Sequence, residues 1–363
     1  MTMTAVDHQK LALERARQAG IVDCDLHNTL DSVKDLFPYL SQQWRRHIED
    51  YGVRRFAGGS YPRFLPPRED ARPPSGKVSG SDGAFMAQDH LDRWGVAYGI
   101  LSVSASGQPN PDLDAALASA ANDWQLEHWL DVDPRYRASM VIPYAQADAA
   151  VREMKRWEHE KRFVQVFFTG RPNEPMGRPR FRPIYEQCAE MGLHVMTHAF
   201  GSSGNPITGA GWPSYYLEDH IGPGQAIQTN IISMIAEGIF EDFPGVRLVS
   251  VENGFGWSAP LAWRMDQAWQ LHRAEVWKIK RPPSSYLRES VYMASQPVEE
   301  PERRGHLARL FEEAPWLADR LVFASDYPHW DADSPEEAFP STFDMDLRHR
   351  IYCENGRELY GLP

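Results

Sequence analysis

Eight short apolar runs, each separated from the next by a stretch of helical character, constrain this chain more than any other feature. They fall at about 21–27, 97–104, 137–143, 163–169, 193–199, 246–252, 291–296 and 321–326. They are rich in the branched and aromatic residues that suit a pleated, buried surface. Helices are expected between them at 111–131, 146–160, 181–191, 214–241, 256–277, 301–314 and, with breaks, 336–358. Turn residues mark the joints, as with Met191-Gly192 before the fifth run and Phe243-Pro244-Gly245 before the sixth. Parallel neighbours need a helical crossover between them, so regular alternation means a parallel sheet, and eight such units close a barrel. An open doubly wound sheet is the alternative, disfavoured because no glycine-rich phosphate loop follows the first run. The fold expected is therefore α/β, a (β/α)8 barrel. A barrel with insertions accommodates all 363 residues in one domain, 1–363, with a helical extension over 1–20.

Two stretches exceed a minimal barrel. Residues 28–82 are dense in Pro, Arg and aromatics and read as a large insertion after strand one, a lid or subunit contact on the rim. Residues 201–216, GSSGNPITGAGWPSYY, form a second long loop after strand five. The helix after it carries Ile221, Ile227, Ile231, Ile232, Met234, Ile235 and Ile239, apolar on more than one face, which makes a homodimer an open expectation.

Composition excludes several partners. A net charge of −12 argues against nucleic acid and anionic membranes, both of which need a basic face. The arginines around Arg178, Arg180 and Arg182 are too few to change that. Cys24, Cys188 and Cys353 are too scattered for a disulfide framework or a paired-cysteine zinc site and fit a reducing cytoplasm. Neither a signal peptide nor an apolar run long enough to span a membrane is read. The expected partner is a small-molecule substrate.

The chemistry lies where the apolar runs end. Strand interiors favour apolar residues, so ionisable groups repeated at the last positions point to one shared site on a barrel rim. Asp23, Asp25 and His27 alternate with period two and are expected on one face, with His27 nearest the rim and Asp23 deepest. His198 ends strand five, whereas His194 lies near its start and reads as a satisfied core or bottom-face residue. Asp326 ends strand eight in the run ASDYPHWD. A single Asp-x-His is more often a hydrogen-bonded core pair than a ligand set. Several strand ends coinciding reverse that balance. Asp25, His27, His198 and Asp326 offer nitrogen and oxygen donors to one divalent ion. Ser250 and Glu252 are expected to face inward together, so Glu252 reaches the same pocket.

The runs FPGVRLVSVENGFGW, KRPPSSYLRESVYMASQP and LVFASDYPHWD, together with the strand ends, resemble the amidohydrolase-2 branch of the amidohydrolase superfamily, which includes aminocarboxymuconate-semialdehyde decarboxylase-like enzymes. The resemblance spans the chain from about residue 21. It implies a (β/α)8 barrel and commonly one divalent ion, held by H-x-H or E-x-H on strand one, His on strand five and Asp on strand eight. Asp25-x-His27, His198 and Asp326 match those places. Two departures stand out. Asp25 replaces the usual His or Glu, and Glu252, in Glu252-Asn253-Gly254, replaces the family's strand-six His. Glu252 is then an acid/base, a carboxylate orienting a ligand histidine, or a further ligand. His329, three residues past Asp326, is either a compensating imidazole or a rim histidine hydrogen-bonded in its loop.

Three functions are weighed. In the first, a hydrolase, a divalent ion lowers the pKa of bound water from 15.7 to about 7. Asp326 serves as general base, and Glu252 with His329 form a second proton-transfer pair. The runner-up is a non-oxidative decarboxylase, with Asp326 protonating the ring carbon and Arg171 or Arg63 holding the carboxylate. The third is a non-catalytic binding barrel, for which the ligand set has no use. A glycosidase would leave both strand-end histidines unexplained. Zn²⁺ suits the imidazoles, with Mn²⁺ close behind for the carboxylates. Trp212, Tyr215, Tyr216 and Trp330 point to an aromatic or apolar substrate, although rim aromatics also pack loops.

Overall fold

The computed structural model describes residues 5–54, 66–199, 206, 211–303, 305–340 and 343–363. Eight strands run in sequence order round one sheet: β1 Ile21–Leu26, β2 Val96–Leu101, β3 Tyr136–Val141, β4 Phe163–Thr169, β5 His194–His198, β6 Leu248–Val251, β7 Val291–Ala294 and β8 Leu321–Val322. Every neighbouring pair is parallel. The ring is drawn shut where the Cys24 and His27 N–H groups donate to the Phe323 and Tyr327 carbonyls at 2.9 and 2.8 Å. This is the expected (β/α)8, or TIM, barrel. Strand β8 is short because its pairing with β7 ends at Val322; beyond it the chain bends to carry Asp326.

Side chains alternate across the strands into two apolar layers. Met196, Val249, Val251, Val322 and Ala324 fill the inside of the barrel, joined by Phe167 from β4. Val195, Leu248, Val291 and Leu321 face the helices in the larger outer core. The register is in phase across the centre of the sheet: Thr169 pairs with His198 and His198 with Val251. His198 therefore stands over the apolar floor at the C-terminal ends of the strands. His194, at the other end of β5, bonds the Leu359 carbonyl through Nε2 at 2.6 Å, which fits a bottom-face role.

The helical expectations hold in outline. Pro111–Gln125 is capped by Asn110, whose side chain accepts from two backbone N–H groups, and has Pro111 at its first turn, where the missing donor costs nothing. The long helix expected over 214–241 is broken into Tyr216–Ile221, Pro223–Ala236 and Ile239–Asp242. Pro223 and Gly238 account for the breaks. Ile227, Ile231, Met234, Ile235 and Ile239 are buried within the chain, while Leu217, Ile221 and Ile232 stay exposed. Helices at Gln42–Tyr51 and Pro283–Ser290 were not expected. Pro283 opens the latter, and Tyr286 and Leu287 bury its inner face.

Between β1 and β2 the described residues include a 3₁₀ turn at Val33–Tyr39 and the helix Gln42–Tyr51. The chain then returns to the rim. Thr29 N–H donates to the Gly80 carbonyl at 2.7 Å and Arg68 N–H to that of Pro328 at 2.9 Å. Arg63 lies outside the described residues. Among the described residues no helix is long and apolar enough to cross a membrane.

Candidate functional site

Four strand-end side chains converge above the barrel floor. His27 Nε2 lies 2.9 Å from Asp326 Oδ1 and 3.4 Å from Asp25 Oδ2. His198 Nε2 lies 3.2 Å from His27 Nε2 and 3.5 Å from Asp25 Oδ2. One donor atom from each of the four comes within 4.8 Å of all the others, so the group could hold a metal ion. Asp25, His198 and Asp326 are buried and His27 nearly so.

The burial is the informative part. Neither oxygen of Asp25 accepts a hydrogen bond of good geometry, and Asp326 Oδ2 has no partner. A buried carboxylate without donors is costly unless a cation supplies the compensation. The residues present therefore fit a divalent ion, with two imidazole nitrogens and two carboxylate oxygens as donors. Burial works to raise the pKa of Asp25, but the positive field of His27 and His198 outweighs it and holds the carboxyl well below the usual range. His27 is the counterpart. Burial would lower it, yet Asp25 and Asp326 beside it push it well up.

Two expectations about strand faces are corrected. Asp23 does not share a face with Asp25 and His27. The β1–β2 register slips between Asp23 and Leu26, and the irregularity redirects the side chains, as a bulge does. Asp23 bonds His90 Nε2 at 2.7 Å through Oδ2 and accepts the Ser325 N–H at 2.9 Å through Oδ1. Ser250 and Glu252 do not face inward together either. Val249 and Val251 are the inward residues of β6, so strict alternation would turn Glu252 away. Instead Glu252 takes a left-handed backbone, φ 58°. Its Oε2 then comes to 3.6 Å from His198 Nδ1, on the ring edge opposite the shared Nε2 position. Positive φ in a non-glycine residue stores strain and tends to occur at functional positions. Asp326 also has φ 58°.

Glu252 and Asp326 are tuned in opposite directions. Burial, reinforced by the charge of Asp326, pushes the Glu252 carboxyl well above its ordinary value. For Asp326, burial is outweighed by His329 and His27, and the group is held low. His329 Nδ1 sits 2.7 Å from Asp326 Oδ1, and its ring lies 4.0 Å from that of His27, centroid to centroid. Thus Glu252 and His329 adjoin the four-donor group, His329 through its contact with Asp326.

The expected substrate contacts divide. Arg171 is buried just past β4, with Nη1 3.5 Å from Asp219 Oδ1. Trp330 donates through Nε1 to Tyr216 Oη at 3.3 Å, and its ring is 5.6 Å from that of His220. Trp212 and Tyr215 are 61% and 73% exposed, which leaves little of either ring to line a closed pocket. The sequence reading missed His220 and Asp331. Their side chains meet at 3.3 Å, and both lie with Glu252 in a second group of three potential ligands. Asp331 stood in the quoted DYPHWD run. His220, in the last turn of a short helix, carried no strand-end signal.

The chain is similar to several known proteins. A gamma-resorcylate decarboxylase of Rhizobium sp. (strain MTP-10005) is 25% identical over 292 residues, covering 75% of this chain and 85% of its own. Among solved structures, an amidohydrolase from Mycobacterium avium subsp. paratuberculosis K-10 superposes with a TM-score of 0.70 at 20% identity, covering 95% of this chain and 98% of the other. A dihydroxybenzoic acid decarboxylase from Polaromonas sp. JS666, with bound manganese and the inhibitor 2-nitroresorcinol, gives 0.60 at 18% identity, with 94% and 97% covered. Both structural likenesses speak for the fold. The amidohydrolase family model matches residues 22–362, and the chain belongs to that family.

Proposed function

We propose that this chain is a divalent-metal-dependent non-oxidative decarboxylase of a hydroxylated aromatic carboxylic acid. The observation that carries this is the buried, donor-poor Asp25 carboxylate facing His27, His198 and Asp326, in a chain whose relatives include gamma-resorcylate decarboxylases. Hydrolysis, the function ranked first from the sequence, is less well supported, since these relatives are carboxy-lyases.

Asp25, His27, His198 and Asp326 would hold the ion. When bound, it would supply positive charge to chelate the substrate's carboxylate and neighbouring hydroxyl. Manganese is the first ion to test, because the Polaromonas enzyme has it bound; zinc suits the two imidazoles. The remaining chemistry belongs to the chain. Cleavage of the ring–carboxylate bond leaves its electron pair on the ring carbon as carbon dioxide departs, and that carbon must take up a proton. Asp326, 2.7 Å from His329 and 2.9 Å from His27, is the group through which that proton reaches the substrate. Glu252, whose carboxyl is pushed up by burial and by the charge of Asp326, stands beside His198 at the edge of the ligand group. Trp330 and Tyr216 offer aromatic surface to the ring, and Arg171 a cation near the rim.

The test is carbon dioxide release from 2,6-dihydroxybenzoate and related hydroxybenzoates by the manganese-loaded protein, followed beside ester, lactone and amide hydrolysis. Hydrolysis without any decarboxylation would overturn the proposal.

A further inference from the structure

Beside the four-donor group, His220, Glu252 and Asp331 bring one ligand atom each to within 4.8 Å of one another. They come from three separate places: the helix Tyr216–Ile221, the end of β6, and the loop after β8. His220 Nε2 is 3.3 Å from Asp331 Oδ2. Gln296, at the end of β7, donates to the same Asp331 oxygen at 3.2 Å and fixes its orientation. Glu252 is 6% exposed, yet its Oε2 finds no hydrogen-bond partner. An unpartnered carboxylate oxygen at that depth costs several kcal/mol as an ion unless something positive meets it. When ionised, two of the three members only accept, so a single imidazole is left to compensate two carboxylates. The left-handed backbone at Glu252 is what swings the carboxylate into this position.

We propose that His220, Glu252 and Asp331 form a second divalent-cation site, adjoining the first through Glu252, and that the chain binds two ions. This rests on the metal-binding reading of the Asp25/His27/His198/Asp326 group. One imidazole and two carboxylates favour an ion that accepts mixed nitrogen and oxygen donors, such as Mn²⁺ or Zn²⁺, over Mg²⁺ or Ca²⁺. Glu252 links the sites physically, standing 3.6 Å from His198 Nδ1 while belonging to the second trio. The ring of Tyr216 stacks on His220 at 5.5 Å, and Trp330 flanks both, so the second ion would lie beneath the aromatic rim. There it would offer a second charge to oxygen atoms of a bound aromatic substrate.

The experiment is equilibrium dialysis of the full-length protein against Mn²⁺, with bound metal counted by elemental mass spectrometry. The wild type is expected to hold two equivalents. His220→Gln and Asp331→Asn should each hold one, and Asp25→Asn should lose the other. Electron paramagnetic resonance provides a second readout: spin coupling between ions in the wild type, and an uncoupled six-line spectrum in His220→Gln. One equivalent in the wild type overturns the proposal, even if either variant fails to fold. So do two equivalents that persist in both variants. Two equivalents without carbon dioxide release from any hydroxybenzoate would uphold the second site and sink the decarboxylase reading. One equivalent with turnover would do the reverse.

Discussion

The position of His198 depends on a glycine across the sheet, and that dependence gives a sharp prediction. Gly170 follows β4 directly, and its N–H donates to the His198 carbonyl at 2.8 Å. A Cβ at residue 170 would lie 2.3 Å from that same oxygen. Close carbon–oxygen contacts settle at about 3.3 Å, so Gly170→Ala must push the end of β5 away by roughly 1 Å. No flexible side chain can absorb the overlap, since both atoms that clash are fixed to backbone. His198 Nε2 stands 3.2 Å from His27 Nε2, and ligand bonds to such an ion are only about 2.0–2.2 Å long. A shift of that size at a reacting centre costs about 10²-fold in rate, and overpacking of this kind costs about 1–3 kcal/mol of stability. Gly170→Ala should therefore retain the fold, melt earlier, hold less Mn²⁺ and release carbon dioxide about 100-fold more slowly. Gly245→Ala is the control, because a Cβ there meets nothing within 4 Å. Manganese content and turnover in Gly170→Ala within about threefold of wild type would refute the claim that this contact sets His198; the figure allows for ordinary variation below ~1 kcal/mol.

Further predictions separate the ligand group from its surroundings. Asp25→Asn should remove the first site's share of the Mn²⁺-induced rise in thermal stability, about 2.7 kcal/mol at a hundredfold excess over that site's Kd; an undiminished rise would remove Asp25 from the ligand set. Asp23→Ala leaves the His90 imidazole buried without its 2.7 Å partner and should cost about 1–3 kcal/mol in urea unfolding, while the Mn²⁺ count stays unchanged. A lost equivalent would instead put Asp23 in the site. Burial, opposed by the Gln108 and Gly107 N–H groups, raises Asp114 to about 6. The unfolded chain ionises this carboxyl first, so stability falls as pH rises from about 4 to 6, by up to ~3 kcal/mol. Asp114→Asn, which keeps an acceptor oxygen for both N–H groups, should remove that slope; a slope equal to wild type would show that the carboxylate is ionised at little cost.

Most of the barrel could be read from the chain because its signals are local. A run such as LHVMTHAF shows strand propensity, and a polar residue at its C-terminal end, without reference to any other part of the molecule. Asp25, His27, His198 and Asp326 were found by that signal, and they do converge. Local reading fails where backbone irregularity overrides period two. The register slip in β1 turns Asp23 to His90, and the positive φ of Glu252 brings inward a residue that alternation would turn away. The break at Pro223 was visible as a residue type, yet the propensity of the isoleucine-rich stretch concealed it.

Strand order, barrel closure and the identity of the strand-end donors were determined by the sequence alone, because hydrophobic periodicity, turn residues and the handedness of crossovers leave few alternatives. What only the tertiary structure decided is which side chains stand without partners. Whether Asp25 is hydrogen-bonded or bare, and whether His220 meets Asp331 from a different helix, depends on distances of 3–4 Å between residues far apart in the chain. The energy of a buried charge is set by those neighbours rather than by its own residue type.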